Sequence, residues 1–197
     1  MKKLLTAFGL LTMLLSSQVQ AGFIKTVTGE DMAGIEITVT YQDTTAETVV
    51  WTPSFPGEGI ASGTFFSLYE QGDTLGGLDD QNNLFGVWTF HINKAVESLF
   101  IDTSSTKIVF DTLFGDASAN GSGAGREFTY DDQVHDPVRA VFSGLYMDEL
   151  YTGLTISGPG LVDGFQFMID TDEVPAPTTL SILLLALGGL VARRLKA

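Results

Sequence analysis

The chain has 197 residues, 24 acidic and 10 basic, with a net charge of −14 and no cysteine. That length suits one domain with short appendages. The charge repels phosphate backbones and excludes nucleic acid as a partner, and the lack of cysteine removes disulfides, thiol nucleophiles and thiolate metal sites together.

The first element is a leader. Residues 1–21 place Lys2 and Lys3 before an apolar run from Leu4 to Leu15, and a polar patch then ends in Val19-Gln20-Ala21. A basic flank, a short apolar core and a small residue before the cut make a secretory signal peptide, with signal peptidase acting between Ala21 and Gly22. The apolar core is too short to span a membrane as a mature anchor. Trimming the ends concentrates the acid: every acidic residue lies between Glu30 and Glu173, where 24 negative charges face 5 positive ones, a net of −19.

Residues 22–172 read as strands and turns. In GIEITVTYQ, Ile35, Ile37, Val39 and Tyr41 alternate with Glu36, Thr38, Thr40 and Gln42, the period of a half-buried strand. TVVWT, GTFFSLYE, LFGVWTFHI, SLFIDT, KIVFDT, GLTIS and GFQFMID follow as short runs rich in β-branched and aromatic residues. Between them PSFPGEG, QGDTLGG, DDQNN, GDASANGSGAG and SGPG supply turn residues. Helical periodicity is confined to VRAVFSGLYMDELYTGL, where a turn or two is expected, cut short by Gly144 and Gly153. The expected fold is all-β, an antiparallel β-sandwich or jelly-roll-like ectodomain.

Catalytic signatures are missing. There is no G-x-S-x-G, and GSGAGRE has neither the spacing nor the strand–helix context of a dinucleotide loop. Of the two histidines, His91 sits near a strand end and His135 lies in an acidic loop with Asp131, Asp132 and Asp136. His135 with these aspartates offers a metal or general-base role, against the plainer reading of a solvent-exposed acidic loop; with no nucleophile–base or paired-carboxylate constellation, the chain is not expected to be an enzyme.

Two binding chemistries are open. Asp79 and Asp80 in LDDQNN, and Asp131 and Asp132 in YDDQVHDP, gather the oxygen ligands that calcium favours; solvated, turn-capping aspartates are the plainer reading. Asp170 and Asp172 in IDTD share a strand face, but two carboxylates do not fill six coordination positions. Trp51 and Trp88 could stack on sugar rings as glycan contacts, against the alternative that they are core packing.

The tail differs from everything before it. From Val174 to Ala192 no residue is charged, Pro175 and Pro177 break the helix at its start, and Arg193, Arg194 and Lys196 follow. As a helix, the segment 178–192 is a marginal span, and the basic tip fixes it on the cytoplasmic side with the folded domain outside. Val174-Pro175-Ala176-Pro177, the span and the basic tip together resemble the PEP-CTERM sorting signal of exported Gram-negative bacterial proteins, with alanine in place of the hallmark's central glutamate. The resemblance implies recognition by an exosortase, a membrane cysteine protease that cuts near the proline motif and passes the protein to the cell surface or beyond. Such systems accompany exopolysaccharide and biofilm formation. IVFDT, GSGAGREF, MDELYTGLTI and GFQFMIDTD also look like the β-rich ectodomains these proteins carry. A permanent anchor of the same topology is the alternative.

The expected organisation is therefore a signal peptide (1–21), an ectodomain (22–172) and a sorting tail (173–197) with motif 174–177, span 178–192 and basic tip 193–197. The expected role is an exported surface or matrix protein, structural or adhesive in exopolysaccharide. The alternative is a calcium-assisted or aromatic-mediated carbohydrate-binding module, and an extracellular hydrolase ranks last.

Overall fold

The computed structural model describes residues 25–78, 84–113, 124–131 and 136–174. In chain order the strands are β1 (Lys25–Thr26), β2 (Glu36–Tyr41), β3 (Ala46–Val50), β4 (Thr52–Pro53), β5 (Glu58–Ser62), β6 (Phe66–Gln71), β7 (Gly77–Leu78) and β8 (Leu84–Phe85). They continue as β9 (Val87–Ile92), β10 (Val96–Asp102), β11 (Ile108–Asp111), β12 (Thr129–Tyr130), β13 (Arg139–Met147), β14 (Leu150–Ser157), β15 (Phe165–Met168) and β16 (Asp170–Glu173). A 3-10 turn, Gly29–Met32, follows β1; it is capped reciprocally by Thr28 and Asp31, whose Oδ2 accepts from the Thr28 amide at 3.0 Å.

The strands assemble into an eight-stranded sheet in the order β1-β16-β11-β14-β10-β2-β3, with β13 beside β14. A six-stranded sheet runs β12-β15-β9-β6-β5-β4, and β7 pairs with β8. All these pairings are antiparallel.

Period-two patterning explains which faces meet. In β2, Ile37, Val39 and Tyr41 point inward while Glu36, Thr38 and Thr40 point out, as the alternation requires. They join Leu99, Ile101, Phe110, Leu154 and Ile156 of the larger sheet and Leu68, Trp88, Phe90, Phe165 and Phe167 of the smaller one in a shared apolar core. Two sheets on one core make the arrangement of a β-sandwich. Each such side chain contributes about 1.5–3 kcal/mol relative to exposure.

One expectation is corrected. Residues 138–154 form no helical turn: β13 and β14 are a hairpin, with Asp148 at φ +46° in the connection. Ala140 and Phe142 pack on the core while Arg139, Val141 and Ser143 are exposed, so the run alternates with period two rather than 3.6. The described strands run on to the edge of the tail. Glu173 completes β16, and Val174 is 7% exposed, its amide donating to the Lys107 carbonyl at 2.8 Å and its side chain packed with Val109 and Leu150. The compact unit accordingly runs from Phe23 to Val174.

Candidate metal centre

β11 lies between β14 and β16, and all four of its residues are buried. Alternation sends Ile108 and Phe110 into the shared core, while Val109 packs with Leu150 and Val174 in a separate small cluster. Asp111 therefore takes the phase of Val109. Across the ladder Asp111 stands opposite Asp170, and Val109 opposite Asp172, which puts all three aspartates on one face. DTDE is a poor strand former by itself; β16 is a strand because β1 and β11 pair with it on its two edges.

All three aspartates are 0% exposed, and one oxygen from each lies within 4.8 Å of the others. The surrounding contacts orient them. The Leu113 amide donates to Asp111 Oδ1 at 3.0 Å. Gly125 passes so close to Asp111 that a Cβ there would collide with Oδ1 and Cγ, a close approach that glycine permits. Buried Thr74 holds Asp170: its hydroxyl lies 3.1 Å from Asp170 Oδ1 and accepts from the Thr171 amide at 3.1 Å. Burial pushes the Asp170 carboxyl up to about 8, with the neighbouring Asp172 and Asp111 charges adding to the rise and the Thr74 hydrogen bond opposing it. An ionised carboxylate taken out of water without compensation costs several kcal/mol, so protons or a cation must offset this cluster.

A second buried acid lies in the other sheet. Glu70 continues the inward phase of Phe66 and Leu68 and stands opposite Trp88 on β9. It is 0% exposed; among the described residues the Trp88 Nε1–H has no hydrogen-bond partner, and the Glu70 carboxylate has only the Gly29 backbone amide close by, outside good hydrogen-bond geometry. Burial pushes Glu70 up to about 9, with the Gly29 backbone amide opposing and Asp73 and Glu58 adding to the rise.

The remaining sequence candidates fall in three groups. Trp51 and Trp88 are 1% and 0% exposed. Trp51 donates to the Gly29 carbonyl at 2.8 Å and packs against Trp88 at 5.2 Å, and Trp88 stacks on Phe167 at 5.6 Å. No indole face is left for a sugar, so the glycan-contact expectation for these two residues is overturned by core packing. Asp131 is half-buried, its amide donating to the Gln166 carbonyl at 3.0 Å, beside Tyr130 and Gln166 in a groove of about 380 Å³. It stands apart from the triad. Asp79, Asp80, Asp132, His135, Ala21, Gly22, Pro175, Ala176, Pro177, Arg193, Arg194 and Lys196 lie outside the described residues, as does the span 178–192.

His91 is exposed, faces Asp163 at 3.5 Å and stands opposite Ser67 on the β6–β9 ladder. Among the described residues no helix is long and apolar enough to cross a membrane.

Sequence reasoning paired Asp170 with Asp172 but missed Asp111 and Glu70. Each carried a signal: an acid ending the apolar run Ile108-Val109-Phe110, and an acid in the apolar phase of Phe66 and Leu68. The chain matches no family model, no curated protein and no solved structure.

Proposed function

We propose that the chain is an exported cell-surface or extracellular-matrix protein, structural or adhesive rather than catalytic. The leader of residues 1–21 carries it out. The tail from Val174 holds it briefly at the membrane until an exosortase cuts near Pro175-Ala176-Pro177. Its destination is the exopolysaccharide matrix. The three-part tail carries the reading: proline motif, marginal apolar span and Arg193-Arg194 tip, on a domain otherwise dominated by acid.

The fold supports this reading through its first and last strands. β1 and β16 are paired, with Lys25 opposite Glu173, so the chain enters and leaves the domain at the same end of one strand pair. A leader and a tail can then address one membrane without the chain crossing the domain. Buried Val174 sets a limit on processing, because a cut before it would remove a packed side chain and the hydrogen bond to Lys107.

Mass spectrometry of the exported protein tests the proposal. The expected C-terminus lies between Val174 and Thr178, with Val174 retained. An intact Arg193-Arg194 tip on exported material would contradict the sorting reading and restore a permanent anchor.

A further inference from the structure

The geometry points to a binding site for one hard divalent cation, calcium, held by Asp111, Asp170 and Asp172. This inference stands whether or not the tail is processed. Three features carry it.

The first is distance. Two oxygens bound to one calcium at about 2.4 Å each lie no more than about 4.8 Å apart, and one oxygen from each aspartate falls within 4.8 Å of the others. The spacing meets this condition for all three, so side-chain adjustment alone, with no change of strand register, can bring them to a single ion. The second is donor chemistry. Three carboxylates offer hard oxygen ligands and no nitrogen or sulfur, which suits calcium over zinc or copper. Calcium also tolerates the irregular, partly bidentate coordination that side chains on two neighbouring strands can supply.

The third is independent of the clustering. Asp170 contributes to the cluster and is 0% exposed, yet among the described residues its Oδ2 has no hydrogen-bond donor, while Oδ1 is taken up by Thr74 at 3.1 Å. A buried carboxylate oxygen without a donor lacks the partner that such groups almost always have. A cation at the cluster supplies it. A buried ion there would also neutralise two of the three charges and tie β16 to β11, fixing the last strand before the tail.

The test is a calorimetric titration of the chelator-treated full chain, in mild detergent, with calcium chloride. Saturable binding of one calcium per chain is expected, in the range of about 10⁻⁴–10⁻³ M seen for extracellular modules or tighter. Asp111→Asn, Asp170→Asn and Asp172→Asn should each weaken it at least tenfold while folding without calcium as the parent does, since asparagine keeps the shape and removes the charge. The double variant Asp79→Asn/Asp80→Asn should bind as the parent does. No saturable binding by about 10 mM overturns the site. So does binding that survives all three triad substitutions or disappears in the Asp79/Asp80 variant. Should a triad variant fail to fold, the parent titration still decides whether a site exists, and the other two substitutions decide where it is.

Discussion

The two sheets each bury acid, in opposite ways. In the six-stranded sheet a lone carboxylate, Glu70, sits among Trp88, Leu68 and Phe66 with no cation beside it among the described contacts. In the eight-stranded sheet three carboxylates share one face of two paired strands. A lone buried acid can be accommodated by one proton. Three acids within 4.8 Å need several protons or one divalent ion, because each proton relieves one charge while the ion acts on all three. The same cost of burial thus raises the pKa of a single core carboxyl in one sheet and attends a candidate metal centre in the other.

The largest expected effect comes from dismantling the surroundings of the lone acid. Trp88→Ala removes a fully buried ring that contacts Trp51 and stacks on Phe167. It should cost about 3–5 kcal/mol in denaturant unfolding, with calcium binding at the other sheet unchanged if the two regions are independent.

Glu70→Gln sharpens the comparison through pH. The Glu70 carboxyl rises from 4.5 to about 9 on folding. Between those values the folded protein keeps a proton that the unfolded chain has lost. Stability from this group is therefore full below 4.5 and falls as pH rises toward about 9. The groups that face it are Asp73, Glu58, the Gly29 amide and Trp88. Glutamine stays neutral throughout, so unfolding curves should show the variant gaining on the parent by the largest margin at alkaline pH. Equal slopes from pH 5 to 9 would show that Glu70 keeps its charge.

Thr74→Val probes the acidic face more gently. It deletes the hydroxyl 3.1 Å from Asp170 Oδ1 and leaves that oxygen without its donor. A loss of about 1–3 kcal/mol is expected in the calcium-free protein. The smallest effect belongs to the surface. Lys94 pairs with Asp43 at 2.8 Å and sits 4.3 Å from the Tyr41 ring centroid; Lys94→Ala should cost about 0.5–1 kcal/mol, and less in high salt.

How far the sequence could be read follows the same division. The inward phase of Ile35, Ile37, Val39 and Tyr41 was legible because alternation is local, and it held in the structure. Of the β13–β14 hairpin only the end of β14, in GLTIS, was legible; in β13 glycines and scattered apolar residues mask the period until β14 supplies a partner. Trp51 and Trp88 show why aromatic residues are poor markers of a site: the same ring serves a glycan or a core, and the choice depends on what packs around it. The triad was half visible. Asp170 and Asp172 share a face by period two, but Asp111 joins them through a ladder register between distant segments, which no local pattern encodes.

The most direct test of this contrast is the stability of the parent protein as a function of pH, measured once with calcium and once with chelator. Calcium and protons compete for the same carboxylates. The calcium curve should therefore lie above the chelator curve at neutral and alkaline pH and merge with it in acid, keeping a residual alkaline decline that belongs to Glu70. Curves that superimpose across the whole range would contradict the account, leaving both sheets to bury their acid with protons alone.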